Sequence, residues 1–153
     1  MTGGTVTATT LTLSGNNKKS AGTMATINDG VITSSDKTAI YWPMAGTLTI
    51  TGGQITGGTG IEAKLGTINI SDDAIIIGTG DYKEDVPMNG GSSPEGSTLL
   101  LSAHMYTSYD NNNDLAVNIT GGQFTSRNGN AVTLYDTLKK RYFCNYYYCW
   151  RRF

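Results

Sequence analysis

Residues Thr47 to Gly66, TLTITGGQITGGTGIEAKLG, contain three short runs in which apolar and polar residues alternate, separated by glycine-containing breaks. Alternation with a period of two is typical of a β-strand that buries one face. The pattern begins again at Thr67, so the stretch is one unit of a repeat. Three short strands in about 20 residues is the period of a parallel β-helix, in which each coil buries its apolar face by stacking on its neighbours.

The repeat is marked by the motif Ile-x-[Gly/Asp]-[Gly/Asp]-x-[Ile/Phe]. Its four copies begin at Ile27, Ile50, Ile70 and Ile119, and a weaker copy is expected at residues 11–15. A third apolar run follows each of the four copies, at residues 39–42, 60–63, 97–101 and 131–134. The chain is therefore predicted to be all-β, a parallel β-helix (β-solenoid) of about four to five coils of roughly 20–23 residues.

The same alternation predicts which side chains form the core, because successive strand residues face opposite sides of a sheet. The residues expected to point inward are Leu48, Ile50, Ile55 and Ile61, then Ile68, Ile70 and Ile75, then Val117, Ile119, Phe124 and Val132. Thr47, Thr49 and Thr51 are expected to point outward.

Composition excludes several classes of function. The net charge is −1 and 15% of residues are charged, so neither nucleic acid nor an anionic membrane surface is expected as a partner. No run of 18 apolar residues exists, which predicts no membrane insertion. The first residues lack a basic segment and an apolar core, so no signal peptide is expected in this chain.

Two segments interrupt the repeat, at about residues 78–96 and 103–114, and both are expected to form loops on one side of a single domain spanning residues 1–137. Residues 138–153, LKKRYFCNYYYCWRRF, differ in composition and hold both cysteines, Cys144 and Cys149. In another reading frame the codons of this tail would encode the Ile, Thr, Val, Ala and Gly of the repeat. The tail is interpreted either as a frameshift product that replaced a coil or as a genuine cap or aromatic-basic anchor.

The units GTLTITGGQITGGTGIEAKLG (46–66) and AVNITGGQFTSRNGNAVTLYD (116–136) resemble the right-handed β-helix repeats of pectate-lyase-like surface proteins of gut bacteria and their phages. The resemblance covers roughly residues 23–137. It implies a right-handed parallel β-helix, an extracellular, cell-surface or virion setting for the parent protein, and contact with carbohydrate. That group includes adhesins, phage tail fibres and spikes, and polysaccharide lyases or hydrolases.

No catalytic residues are predicted. A pectate-lyase-type site needs clustered carboxylates and a basic residue, but outside the tail Arg127 is the only arginine, and Asp72-Asp73 is interpreted as a turn. A glycosidase needs two carboxyl groups about 5–10 Å apart. Glu62 is expected to face solvent beside Lys64 as an ordinary surface pair.

The candidate carbohydrate-binding residues are aromatic or hydrogen-bonding side chains, because aromatic faces stack on pyranose rings and Asp accepts hydrogen bonds from hydroxyls. They are His104, Tyr106, Tyr109 and Asp110 in the second insertion, Tyr82 in the first, and Tyr41 and Trp42 at the end of an earlier coil. The alternative is that His104 is an ordinary surface residue and that the Tyr41-Trp42 pair packs against a loop.

A weak Ca²⁺ site is the only cofactor considered, at Asp110, Asn112 and Asp114, whose oxygens alternate as in the opening of a Ca²⁺ loop. The glycine and the bidentate glutamate that such a loop needs are replaced by Leu115 and Gly121, which favours a polar turn. No other metal or cofactor is predicted.

The predicted function is a non-catalytic structural or adhesive module of a bacterial surface protein or phage fibre, contacting glycans through its loops. The alternative is a fragment of a polysaccharide-degrading, tailspike-like enzyme. A third interpretation is a truncated product without a function of its own. Open ends of a solenoid are exposed edges, which favours a fragment or self-association, for example as a homotrimer.

Overall fold

A computed structural model describes residues 1–15, 22–83, 91–102 and 115–134. Within these ranges the chain is all-β and contains no helix. The strands are β1 (Thr2–Ala8), β2 (Leu13–Ser14), β3 (Met24–Ile27), β4 (Asp29–Ser34), β5 (Thr38–Trp42), β6 (Thr47–Ile50), β7 (Gln54–Gly57), β8 (Thr59–Ala63), β9 (Gly66–Ile70), β10 (Ile75–Gly78), β11 (Leu99–Leu101), β12 (Leu115–Ile119), β13 (Gln123–Ser126) and β14 (Val132–Leu134).

These strands form three sheets in which every pairing is parallel. Sheet A has the order β1-β4-β7-β10-β13, sheet B the order β14-β11-β8-β5-β2, and sheet C the order β12-β9-β6-β3. From β3 onward the chain passes through sheets C, A and B in turn, four times over. Three parallel sheets of stacked strands are consistent with the predicted β-helix or solenoid.

The strand register confirms the repeats that the sequence predicts. Ile27 pairs with Ile50, Ile50 with Ile70, and Ile70 with Ile119 in sheet C. In sheet B, Leu99 lies between Ile61 and Val132, which confirms that residues 97–101 hold the displaced third run. Equivalent residues therefore stack directly above one another.

The weaker copy expected at residues 11–15 is wrong in its position. Leu13 pairs with Ile40, so this segment belongs to sheet B and is a third-strand position, not the start of a repeat. The strand that precedes it is β1, which pairs with β4 in sheet A. Its five threonine and glycine residues carry too little apolar alternation for the motif to identify it.

The prediction that Ile75 points inward is wrong by one residue. Ile76, not Ile75, pairs with Ile55 and is fully buried, whereas Ile75 pairs with Gln54 and is half-buried. The turn before β10 is one residue longer than the corresponding turn before β7. Asp72 supplies the extra bend with a φ of 53°, a left-handed conformation that Asp tolerates better than most residues.

The core confirms most of the remaining inward positions. Leu48, Ile50, Ile55 and Ile61 are fully buried, as are Ile68 and Ile70, and each such side chain contributes about 1.5–3 kcal/mol. Val117 and Phe124 are partly buried against this core. Ile119 and Val132 are 44% and 42% exposed, because they lie on the last described strands of sheets C and B.

Several predicted features lie outside the described residues: positions 84–90 of the first insertion, the whole second insertion (103–114), and the tail 138–153. Across the ranges that the structure does describe, no helix is long and apolar enough to cross a membrane.

Candidate functional site

The outer face of sheet B is covered by the described end of the first insertion, residues 91–96, which we call the strap. Tyr41, Glu62 and Leu100 form one ladder on this outer face, since Tyr41 pairs with Glu62 and Glu62 with Leu100. All three are buried although they point away from the core side of the sheet. The strap therefore converts an outer face into a second, partly polar interior.

The Glu62 carboxylate is the main attachment point of the strap. The backbone N–H of Ser93 donates to both carboxylate oxygens, at 3.0 Å to Oε1 and 2.8 Å to Oε2. Ser92 Oγ donates to Oε2 at 2.7 Å, and Thr38 Oγ1 lies 3.4 Å from the same oxygen. Hydrogen bonds to a charged acceptor are the stronger kind, so these contacts fix the strap on strand β8.

Lys64 completes this cluster. Its Nζ lies 3.2 Å from Glu62 Oε1, donates to the Gly91 carbonyl oxygen at 2.6 Å, and is 5.4 Å from the centre of the Tyr41 ring. Burial lowers the pKa of Lys64 below its ordinary value, while the charge of Glu62 and its hydrogen bond act in the opposite direction. The lysine thus neutralises the buried carboxylate and holds the start of the strap.

A second attachment lies further along the strap. Thr59 Oγ1 accepts hydrogen bonds from the backbone N–H groups of Glu95 and Gly96, at 3.0 and 3.2 Å. The Glu95 side chain is itself buried and accepts from the Ser97 N–H at 3.2 Å. The Glu95 carboxylate is therefore engaged with its own backbone and belongs to the structure of the strap.

The prediction that Glu62 and Lys64 form a solvated surface pair is wrong. Both side chains are completely buried, because the strap returns over the strand that carries them. A signal was available in the sequence: Glu62 and Lys64 share one face and are the only charged residues in the Thr47–Gly66 unit, and an insertion follows in the next repeat. A carboxylate closed off in this way serves to position the strap and is not open to a substrate.

The outer face of sheet C has a different character. Two ladders of outward residues run across its four strands: Met24, Thr47, Thr67 and Ala116, and beside them Thr26, Thr49, Asn69 and Asn118. None of these residues is charged, and all are exposed or half-buried. Asn118 Nδ2 donates to Asn69 Oδ1 at 2.9 Å, so neighbouring strands are also linked through their side chains.

Six of the eight residues in the two ladders are threonine or asparagine and make an array of hydroxyl and amide groups, while Met24 and Ala116 stand at the two ends of one ladder. Neighbouring strands of a sheet are about 4.8 Å apart, and outward residues along one strand are separated by about 6.6 Å. The next outward positions, Asn28 and Thr51, extend the array and are joined by a hydrogen bond of 3.3 Å from Thr51 Oγ1. The sequence predicts that the threonines point outward, but it does not indicate that Asn69 and Asn118 continue the same array.

Of the predicted carbohydrate-binding residues, two are buried, one is exposed and four lie outside the described residues. Tyr41 lies under the strap and Trp42 points into the core, so both are buried and neither offers an exposed ring face for a sugar. Tyr82 is 45% exposed, and it follows Asp81, which accepts a hydrogen bond from Asn128 Nδ2 at 2.8 Å. His104, Tyr106, Tyr109 and Asp110 lie outside the described residues, as do the Ca²⁺ candidates Asp110, Asn112 and Asp114.

In the part of the chain that the structure describes, no three His, Cys, Asp or Glu side chains lie close enough together to hold a metal ion.

Comparison with protein-family models, with curated proteins and with solved structures finds no match for this chain.

Proposed function

We propose that the chain folds as a right-handed parallel β-helix with four complete coils and a partial coil formed by β1 and β2. The support is the cyclic order of the sheets together with the handedness of parallel connections. Strands β6 and β9 are neighbours in sheet C and are joined through β7 and β8. Connections between parallel strands of one sheet are right-handed in about 98% of cases.

We further propose that this β-helix is a non-catalytic structural or adhesive module that contacts carbohydrate. The observation that carries the proposal is the uncharged Thr/Asn array on the outer face of sheet C. Its hydroxyl groups both donate and accept hydrogen bonds, and its amide groups do the same, as the hydroxyls of a glycan require. Because the strands beneath are fixed by the buried core, the array is held in place before a ligand binds.

The absence of charge on this face favours a neutral polysaccharide over a charged partner. A partner bound through charge would require Lys, Arg, Asp or Glu at the contact, and none stands in the two ladders. An adhesive role also fits the extent of the site, since an array spread over four strands contacts an extended chain or a surface better than a single small molecule. Such a module belongs to the exterior of a bacterial cell or a phage particle.

A glycan array and pull-down on insoluble polysaccharides test the proposal. The Thr49→Lys variant places a charged side chain in the middle of the array and is expected to weaken binding at least tenfold. The matched control is Thr56→Lys, a half-buried outward position on sheet A. Equal binding by both variants would show that the glycan contact does not lie on sheet C. If the wild-type chain bound no glycan, the carbohydrate proposal would be overturned.

Tyr106 and Tyr109 of the second insertion are a separate candidate site for the same function. The Tyr106→Ala/Tyr109→Ala double variant is expected to lose glycan binding if the second insertion makes the contact, whereas unchanged binding would discard that site. The enzyme alternative is tested by incubating the chain with each bound polysaccharide and measuring released reducing ends. Release of oligosaccharides would replace the non-catalytic proposal with a polysaccharide-degrading one.

A further inference from the structure

The connection between β13 and β14 contains the dipeptide Asn128-Gly129. Asparagine is one of the thermally labile residues, and it reacts fastest before a glycine, because no side chain then hinders the amide nitrogen that follows it. Asn128 is exposed and belongs to a bend at residues 127–129, outside the strands. The pair takes no part in the core, the strap or the Thr/Asn array.

Packing at this corner requires a glycine at position 129. A Cβ there would lie 2.9 Å from the Gly96 carbonyl oxygen and 3.1 Å from Ser126 Oγ. The first of these atoms is backbone of the strap, so a larger residue would push the strap away. Asn128 also has a structural role, since its Nδ2 donates to Asp81 Oδ1 at 2.8 Å and so links this bend to the preceding coil. The labile dipeptide is therefore built into the fold.

Two side-chain hydrogen bonds hold the groups that would react. Deamidation begins when the Gly129 amide nitrogen attacks Cγ of Asn128. In the structure the Gly129 N–H donates to Ser126 Oγ at 2.8 Å, and the side-chain amide of Asn128 donates to Asp81. Both bonds have to open before the nitrogen can approach Cγ. The folded chain therefore reacts through local opening of this bend.

We propose that Asn128 is a site of spontaneous deamidation, that Asp81 and Ser126 restrain the reaction, and that its product loosens the bend between β13 and β14. Hydroxide removes the amide proton of Gly129, and the nitrogen forms a bond to Asn128 Cγ. The bond from Cγ to Nδ2 breaks, and Nδ2 takes a proton from water and leaves as ammonia, which regenerates hydroxide. A second water opens the resulting succinimide at either carbonyl carbon, giving aspartate or isoaspartate.

Either product replaces a neutral hydrogen-bond donor by a carboxylate next to Asp81. Like charges repel, so the bond that links the bend to the preceding coil is lost. Isoaspartate also lengthens the backbone by one methylene group between two fixed points. On one side the Arg127 N–H donates to the Gly78 carbonyl oxygen at 2.8 Å, and on the other the Asn130 carbonyl oxygen accepts from Thr98 at 3.1 Å. Both of these backbone bonds are expected to weaken.

The first experiment incubates the wild-type chain in mildly alkaline buffer and follows each asparagine by peptide mapping and mass spectrometry. Aspartate and isoaspartate are expected at Asn128, and no conversion is expected at Asn118 or Asn130, which precede isoleucine and alanine. Mapping separates the pair Asn89-Gly90, which lies outside the described residues. If Asn128 stayed intact while the synthetic peptide SRNGNA (126–131) converted completely, the proposed site would be wrong.

The second experiment compares rates among variants. Asp81→Ala and Ser126→Ala each remove one restraining bond and are each expected to speed conversion at Asn128 at least threefold. Asp73→Ala removes an exposed carboxylate from another turn and should leave the rate unchanged. Circular dichroism checks that each variant is folded, and the comparison of wild type with the peptide does not depend on any variant. Rates equal to wild type in both restraint variants would overturn the role of Asp81 and Ser126.

The third experiment measures the consequence of the reaction. Asn128→Asp reproduces one product and is expected to speed amide hydrogen exchange of Arg127 and Thr98 at least tenfold, because their bonds flank the bend. Exchange of Ile55, in the buried core, should be unchanged and serves as the control. Unchanged exchange at both Arg127 and Thr98 would overturn the proposed loosening.

Discussion

The Glu62 carboxylate lies 3.2 Å from the Lys64 ammonium group, and neither side chain retains any exposed surface. Taking two charges out of water costs several kcal/mol per ion, and their mutual attraction offsets that cost only where further hydrogen bonds are made. Ser92 and Ser93 donate those bonds to the carboxylate, and the Gly91 carbonyl oxygen accepts one from the ammonium group. The ion pair and the strap therefore depend on each other.

Removing Glu62 alone is expected to destabilise the protein much more than removing both charges. Glu62→Gln should lower the free energy of unfolding by about 3–5 kcal/mol, because the Lys64 ammonium group is left buried without its counterion. Lys64→Met should cost less, because burial already disfavours the charged form of this lysine and lowers its pKa. The double variant should lie within about 1–2 kcal/mol of wild type, since Gln still accepts from the Ser93 N–H and Met fills the volume of Lys64.

Urea unfolding of the three variants measures these values, with Lys37→Met as the control. Lys37 is exposed, so its replacement should change the free energy of unfolding by no more than about 0.5 kcal/mol. Equal losses in Glu62→Gln and in the double variant would show that the pair acts through packing and not through charge.

The burial of Lys64 also predicts a dependence of stability on pH. Its pKa is lowered in the folded state from the ordinary value of 10.5. Between the two pKa values the unfolded chain binds more protons than the folded chain, so the contribution of Lys64 to stability increases with pH. Below the folded pKa the lysine is charged in both states and its unfavourable contribution is constant.

The free energy of unfolding of wild type, relative to that of the Glu62→Gln/Lys64→Met variant, is therefore expected to rise as the pH approaches 10.5. Comparison with the double variant removes the titration of groups common to both proteins. Denaturant titrations at a series of alkaline pH values measure the difference, and parallel curves for the two proteins would contradict the prediction.

The strands and the core could be predicted because they depend on local alternation. An inward residue such as Ile50 is recognised from its immediate neighbours, and its partner Ile70 recurs one period later. The exact length of a turn is less visible, since it depends on whether a residue such as Asp72 adopts a left-handed conformation. Because of that one residue, the alternation predicts Ile75 as the inward residue, whereas Ile76 is the buried one.

The surroundings of Glu62 could not be predicted in the same way. Its cover comes from Ser92 and Ser93, about 30 residues later in the chain, within an insertion that has no repeat pattern. Alternation correctly predicts that Glu62 points away from the core, but it says nothing about what lies over that face. Tyr41 is buried for a related reason, since it stands in the same ladder as Glu62.

Ile27, Ile50, Ile70 and Ile119 form one column in sheet C, and the loss of stability on replacing one of them by alanine should depend on its place in that column. Ile50→Ala is expected to lower the free energy of unfolding by about 2–5 kcal/mol, because a fully buried side chain leaves a cavity. Ile119 lies in the same column but is 44% exposed, so Ile119→Ala should cost about 1 kcal/mol. Chemical denaturation compares the two, and equal losses would show that Ile119 is as well packed in solution as Ile50.

The turn between β6 and β7 should depend on a glycine at position 53. Gly53 has a φ of 81°, and a Cβ there would lie 2.7 Å from the Gly30 carbonyl oxygen and 3.0 Å from the Asp29 carbonyl carbon. Both neighbours are backbone atoms of the preceding turn, so they cannot move aside independently of the stack. Gly53→Ala is therefore expected to lower the free energy of unfolding by about 1–3 kcal/mol.

Gly22→Ala is the matched control for this turn, since a Cβ at position 22 would meet no atom of the described residues within 4 Å and the backbone there is not left-handed. Replacing a glycine at such a site restricts the unfolded chain and should leave stability unchanged or raise it by up to about 1 kcal/mol. Thermal unfolding distinguishes the two variants. A loss of stability in Gly22→Ala as large as that in Gly53→Ala would mean that the added methyl group, and not the left-handed backbone in contact with Gly30, is responsible.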